Sequence, residues 1–521
     1  MITRLRYARV NEDRSLELSG ESLSRLIDAA KERVLRHIES LPIQPSANSE
    51  GGAALARSRV EPLPRTGRPV PELLDFLFDV VIPKSFNTAG PGYLAYIPGG
   101  GLPQSAVADL IADATNRYVG VFVAAPGLAQ IESNVVRWFC EIVGYPEKSG
   151  GVLTSGGSLS NLSALITARR DRLPENFLSA TIYVSDQTHH SIQKAAMLAG
   201  FPTGNVREIA SDREFRISIE ALRDAIVRDR QAGLTPFAVV GNAGTTNTGA
   251  VDDLSAIAEI ARTEKLWFHA DAAYGGFFML TERGRRRLAG IEQADSVALD
   301  PHKGLFLPYG TGALLVRDFE TLKRAHALSA DYMPTMQEDP DLVDFNLLSP
   351  ELSRDWRGLR AWLPMKMHGI EIFRTNLDEK LDLTHWATEE LRRIPGIEIL
   401  AEPQLSIVAF RLARPGLDEK GLNSLNRDLM NRVNARKRVY LTGTMLGGRF
   451  AIRICVLSFR THLDRMKEGL EVIRAAIREV GSADRATASA ATRPPSLLRS
   501  RPARNPPPPR AGLARTSSSM F

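Results

Sequence analysis

Lys303 closes the run Ser296-Val-Ala-Leu-Asp-Pro-His-Lys303, and Asp271 closes Leu266-Trp-Phe-His-Ala-Asp271. A lysine leaving an apolar strand for a desolvated pocket is driven toward its neutral amine, the form that attacks a carbonyl carbon. A carboxylate at the end of another such strand is costly to bury without a cation, and a protonated pyridinium nitrogen is one. The pair predicts a Schiff base between Lys303 and pyridoxal 5′-phosphate (PLP), with Asp271 keeping the ring nitrogen protonated.

Two more groups suit the same ligand. Gly150-Gly-Val-Leu-Thr-Ser-Gly-Gly-Ser-Leu-Ser-Asn161 runs into an apolar helix. Gly157 and Ser158 at its start can offer free N–H groups and the positive end of the helix dipole to a phosphate. No Gly-Lys-Ser/Thr follows, so this is not a Walker loop. His189, past Ile182-Tyr-Val-Ser185 and the turn Asp186-Gln-Thr188, can lie against a ring or exchange a proton near neutral pH. Each residue has an ordinary alternative: a snorkelling lysine, a capping aspartate, a glycine turn, a surface histidine. Occurring in order, each after a strand, they jointly outweigh those alternatives.

Such residues need strands that end along one edge of a sheet. From Gly150 onward, apolar strands alternate with helical segments: Ala180–Ser185, Phe237–Gly241, Leu266–Ala270, Ser296–Leu299 and Gly312–Val316, with a helix from about Ser191. The pattern predicts an α/β domain with a mainly parallel sheet, whose ligands bind beyond the strand C-terminal ends. A long helix is expected over about residues 357–374. Leu405–Phe410 and Arg449–Ile454 then alternate apolar and polar residues, which predicts a smaller α+β domain with an antiparallel sheet over residues 376–481. Upstream, residues 20–40 form an amphipathic helix with Ser22 or Ser24 as cap, Pro42–Pro71 a connector, and Glu72–Val81 another helix. Residues 1–90 are thus expected to form an N-terminal helical arm, and 91–375 the large domain.

Composition excludes several classes. The 521-residue chain is 43% hydrophobic and 24% charged, as in ordinary globular proteins, and no apolar run approaches the ~20 residues of a membrane helix. Its first residues lack the apolar stretch of a secretory signal, so a cytoplasmic location without membrane partners is expected. Cys140 and Cys455 have no Cys or His companions at zinc spacing, so no metal is expected. The net charge of +6 resides entirely in residues 482–521, which hold seven arginines against Asp484. The rest is formally neutral, which argues against a nucleic-acid partner; the Pro- and Arg-rich end is expected to be a disordered tail.

The chain resembles the group II PLP-dependent amino-acid decarboxylases, the family that includes aromatic L-amino-acid, histidine, glutamate and diaminobutyrate decarboxylases. The resemblance runs from about Pro91-Gly-Tyr-Leu-Ala-Tyr96 to about Arg453-Ile-Cys455. It is carried by Ser185-Asp-Gln-Thr-His189, Asn242-Ala-Gly-Thr-Thr246, His269-Ala-Asp-Ala-Ala-Tyr274 and Pro301-His-Lys303. It implies PLP fold type I, the aspartate-aminotransferase-like architecture, and a homodimer with active sites at the subunit interface. It further implies Lys303 as the Schiff-base lysine, Asp271 at the pyridine nitrogen and His189 stacked on the ring. Ala273 would lie on the other ring face, Thr246 near the ring hydroxyl, and Gly157, Ser158 and His302 around the phosphate. Tyr332, in Leu328-Ser-Ala-Asp-Tyr-Met-Pro334, falls where the family carries a mobile-loop tyrosine that protonates the substrate carbon.

Departures from the aromatic subgroup are equally specific. Asp300-Pro-His-Lys-Gly304 stands where Asn-Pro-His-Lys-Trp is usual, and an acid there must turn from the phosphate or find another partner. In the substrate-pocket segment Tyr96-Ile97-Pro98-Gly-Gly-Gly101, Ile97 replaces an aromatic residue and glycines are added, and Tyr118 and Gly120 occupy positions that carry larger or aliphatic groups in aromatic decarboxylases. The expected activity is decarboxylation of an L-amino acid, aromatic in first place, to amine and carbon dioxide. The rivals are a PLP-dependent carbon–carbon lyase of the sphingosine-phosphate-lyase type and a non-catalytic PLP-fold binding protein.

Overall fold

A sheet covered by helices on both faces needs strands that are apolar throughout. The computed structural model describes residues 16–327, 339 and 342–491, with side chains to residue 480, and its larger sheet has seven strands, most of them of this kind. They are β1 Gly150–Thr154, β2 Ala180–Ser185, β3 Val206–Ile209, β4 Thr235–Asn242, β5 Trp267–Asp271, β6 Ser296–Leu299 and β7 Gly312–Val316. Every residue of β1, β2, β5, β6 and β7 is buried. Their order is β1-β7-β6-β5-β4-β2-β3, with β7 antiparallel to both neighbours and the pairings from β6 to β3 all parallel. The expected α/β architecture is therefore present.

β5 extends one residue beyond the expected span, so Asp271 is itself part of the ladder, opposite Asn242 on one side and Ala298 on the other. The end of β4 is pinned by the buried Asp252. Its carboxylate accepts the N–H groups of Ile217 and Asn242, each at 2.7 Å, and the Asn242 side-chain amide at 2.8 Å. The helix Pro126–Val143 covers one face of the sheet region, where Phe139 meets Phe277 edge-on with centroids 5.2 Å apart. The helix Gly157–Arg172 is unusual in burying Ser160, Asn161, Ser163 and Thr167, polar side chains that need partners inside.

A second, wholly antiparallel sheet comprises β8 Ile397–Ala401, β9 Ile407–Leu412, β10 Thr442–Leu446 and β11 Arg449–Cys455, in the order β10-β11-β9-β8. β9 starts two residues later than expected because Ser406 serves Tyr274, whose hydroxyl accepts the Ser406 N–H at 2.8 Å. The helix expected over 357–374 is broken at Gly369, which takes φ +70° and separates Gly358–His368 from Ile370–Arg392. That second helix runs through residue 376. In the N-terminal region, the cap of Gly20–Ser40 is Ser19, which accepts the Ser22 N–H at 3.2 Å, rather than Ser22 or Ser24. The helix expected at 72–81 is α-helical over Val70–Asp75 and π-helical over Phe76–Val81.

The described residues as far as Ile477 form one compact unit that contains both sheets; of the tail expected to be disordered over 482–521, residues to Ala491 belong to the helix Leu463–Ala491 and the remainder lie outside the described residues. No helix among the described residues is long and apolar enough to cross a membrane. Replacing Asp252 with Ala strands three buried N–H donors at the end of β4. The expected loss is about 2–3 kcal/mol, read from the urea midpoint, and an unchanged midpoint would show that β4 needs no such anchor.

Candidate active site

The parallel strands release their last residues toward a cavity of about 300 Å³. β5 delivers Asp271 directly, and the turns after it and after β6 bring Ala273 and the Asp300–Lys303 segment. The turn after β2 brings His189, the loop after β4 brings Thr246, and the start of the helix Gly157–Arg172 brings Gly157 and Ser158. All eight cofactor-site residues expected from the sequence thus line one cavity. A Cβ on Gly157 would lie 3.1 Å from both the Ala273 Cβ and the Asp300 Oδ2, so this wall is built close.

Behind Asp271 and His189 runs a chain of buried hydrogen bonds whose directions can be assigned. The Trp267 indole N–H donates to Ser296 Oγ at 2.9 Å, and the Ser296 hydroxyl lies 2.8 Å from His269 Nδ1. His269 Nε2 meets Asn161 Oδ1 at 2.9 Å. Since that amide oxygen only accepts, His269 carries its proton on Nε2 and accepts from Ser296. The Asn161 amide donates to Asp271 Oδ2 at 3.2 Å and to Ser191 Oγ at 2.9 Å. Ser191 in turn lies 2.8 Å from His189 Nδ1, which also accepts the Ser191 backbone N–H at 3.2 Å. His189 therefore carries its proton on Nε2. The Ala273 N–H completes the set by donating to Asp271 Oδ1 at 3.3 Å.

Electrostatics follow burial. Desolvation lowers the pKa of His189, although the Asp271 carboxylate works the other way. It pushes His269 down to about 4, again against Asp271. Lys303 departs from the sequence expectation of a neutral amine. Burial does press toward loss of its proton, but the Asp300 carboxylate, with Oδ2 at 2.9 Å from Nζ, outweighs it and holds the pKa above the ordinary lysine value. The lysine keeps 24% of its side-chain surface, open toward the cavity. His302 donates from Nδ1 to the Thr311 carbonyl at 2.6 Å, and burial lowers its pKa despite Asp300 nearby.

Other expected residues are not brought to this wall. Ile97 and Pro98 are buried beneath the Lys303 turn, so close that a Cβ on the next residue, Gly99, would stand 2.0 Å from the His302 carbonyl oxygen. Tyr96 faces outward at 54% exposure; Tyr118 is 40% exposed, and its hydroxyl donates to the Leu352 carbonyl at 2.9 Å. Tyr332 lies outside the described residues. Asn161, Ser191 and His269 were not singled out as site residues; the only signal was polarity at positions whose neighbours are apolar. A larger cleft of about 530 Å³ is elsewhere, and its Arg216, Arg283 and Arg286 are already paired with carboxylates. Among the described residues no cluster of His, Cys, Asp and Glu could hold a metal ion.

Comparison with known proteins agrees with this geometry. Residues 63–413 match the sequence model of the pyridoxal-dependent decarboxylase conserved domain. The aromatic-L-amino-acid decarboxylase of Bacillus atrophaeus is 34% identical over 468 residues, spanning 89% of this chain and 98% of that protein. Tryptophan decarboxylase 2 of Oryza sativa subsp. japonica is 29% identical, spanning 78% and 85%. A crystal structure of Oryza sativa TDC with PLP and tryptamine superposes with a TM-score of 0.84 at 25% identity, covering 89% of this chain and 99% of that one.

The His269 assignment carries a pH signature. An unfolded histidine takes up a proton as pH falls through 6.5, whereas folded His269 resists until about 4, so stability is lost as pH drops across that window. The contribution of His269 is on the order of 2 kcal/mol between about pH 6.5 and about pH 4, from chemical denaturation, and His269→Gln should reduce the slope, leaving the share of His326, which burial also pushes down to about 4. An equally steep loss in the variant would place the titration elsewhere.

Proposed function

The chain belongs to the pyridoxal-dependent decarboxylase family and is a PLP-dependent amino-acid carboxy-lyase, and from that premise we propose that it converts an aromatic L-amino acid to its amine at the cavity built around Lys303. The observation that carries this reading is the convergence of Lys303, Asp271, His189 and the start of the helix Gly157–Arg172 on one cavity. The relatives named above support an aromatic substrate.

The residues fit the cofactor. The unpaired N–H groups of a helix start suit a phosphate, a buried carboxylate suits a pyridinium nitrogen, and small Ala273 and Gly157 leave room for a flat ring. Bound there, PLP supplies an electron sink for the pair left behind when carbon dioxide departs. Lys303 is the residue proposed to hold it covalently, and Asp271 to keep its ring nitrogen protonated. Asn161 and the Ala273 N–H hold both Asp271 oxygens, so the carboxylate does not rotate away. His189, with its ring fixed through Ser191, is proposed to lie against the cofactor and to present its Nε2 proton to the cavity. Tyr332 is proposed to deliver a proton to the substrate carbon.

We further propose a homodimer in which Tyr96 and Tyr118, the two exposed members of the expected pocket set, contribute to the substrate pocket at the subunit interface, while Ile97 and Pro98 act from beneath as packing. The exposure of Leu23, Ile27, Leu73, Leu77, Val80 and Val81 on the N-terminal helices supports a partner surface there. The proposed domain boundaries remain 91–375 for the cofactor domain and 376–481 for the small domain.

Purified protein given PLP and single amino acids should release carbon dioxide and amine, fastest with an aromatic one. No carbon dioxide from any amino acid, with cofactor demonstrably bound, would contradict the activity; release only from acidic or diamino acids would contradict the substrate class. Lys303→Ala should lose both turnover and the visible absorbance of bound cofactor. Tyr332→Phe should divert product from amine toward aldehyde and ammonia, and unchanged amine output would remove Tyr332 from proton delivery.

A further inference from the structure

Asp300 is the one acid in the wall where a phosphate is proposed to sit, and its surroundings are specific. Its residue surface is 2% exposed. Oδ2 lies 2.9 Å from Lys303 Nζ, and Oδ1 is buried with no hydrogen-bond partner. Its Oδ2 is also 3.7 Å from His302 Nε2, but the His302 proton is on Nδ1, committed to Thr311, so Nε2 offers no donor while the ring is neutral. The carboxylate faces the helix start: a Cβ on Gly157 would be 3.1 Å from Oδ2, and one on Gly156 3.9 Å from Oδ1. Asp300 thus leans on a single cation, the residue proposed to be consumed by the cofactor.

We infer that Asp300 weakens the protein's hold on its phosphate-bearing cofactor and so keeps that cofactor exchangeable. The inference rests on Lys303 being the covalent anchor. For attachment, the Lys303 ammonium sheds a proton to solvent; the amine nitrogen then forms a C=N bond to the aldehyde carbon, and the aldehyde oxygen leaves as water with the two amine hydrogens. The nitrogen then carries at most one proton in place of three, so the 2.9 Å ion pair is weakened in the process. Asp300 is left buried, with Oδ1 still lacking a donor, and breaking a buried pair by removing one partner is strongly unfavourable. A phosphate at the helix start adds a second anion to the same wall, and like charges there oppose each other. Both costs fall on the cofactor-bound state. An asparagine of the same shape removes the charge and supplies an N–H donor to the phosphate.

The test is the affinity of cofactor-stripped, full-length protein for PLP, followed by absorbance titration and by retention through desalting. Asp300→Asn should bind PLP about ten-fold tighter or more and keep it through desalting, whereas the parent loses it. Asp300→Ser, which removes the charge without adding an amide, should shift the same way. Pyridoxal, which lacks the phosphate, should gain less from either substitution. Equal or weaker PLP binding by both variants overturns the inference. Lys303→Ala is titrated alongside; if it binds PLP with the parent's affinity and absorbance, the anchor assignment fails, and this inference with it.

Discussion

The site depends first on the parallel pairing of β5 with β6. That ladder sets Asp271 opposite Ala298, so the chain leaves β6 with Asp300 and Lys303 close to the carboxylate that ends β5. A one-residue slip would turn every side chain to the other face and separate the acid from the lysine. The register is well protected. Both strands are buried along their whole length, β4 and β7 flank them, and alternative pairings would move apolar side chains that have no other place to go. Catalytic geometry is thereby inherited from the core rather than from the loops.

Asn161 is the second fixed point. It lies at the centre of a buried chain in which each donor has one acceptor assigned, from Trp267 through Ser296 and His269 to Asp271 and His189. A neutral His269 is what makes the directions consistent, because a protonated ring would confront the Ser296 hydroxyl with a second donor and force it to turn. Fully satisfied polar networks of this kind rigidify a site, and a partly satisfied one is costly. Asp300 stands outside this chain, and its Oδ1 has no partner.

Much of this was legible in the sequence, for a physical reason. Apolar runs that end in Asp271, in Asp300-Pro-His-Lys303 and in the turn before His189 mark strand ends, and ligand chemistry in open α/β sheets collects there. The glycines and serine opening the helix at 157 read as an anion cradle for the same reason. Other features had no local signature. Asn161 and Ser191 sit on helices whose polar residues look solvent-facing until the fold buries them. The break at Gly369 was masked by good helical periodicity on both sides. The charged state of Lys303 could not be read from its strand, because it is set by Asp300 three residues away across one turn. Tyr96, Ile97 and Pro98 were placed by motif, and the chain's own packing takes them beneath or outside the turn that carries Lys303.

The central claim is that Lys303 is where cofactor and protein join. The most direct measurement is borohydride reduction of the PLP-loaded protein, followed by proteolysis and peptide mass mapping. A phosphopyridoxyl group fixed on the peptide that carries Lys303, and on no other lysine, is the predicted result. The modification on a different lysine, or no stable modification in protein that retains its visible cofactor absorbance, would contradict the account.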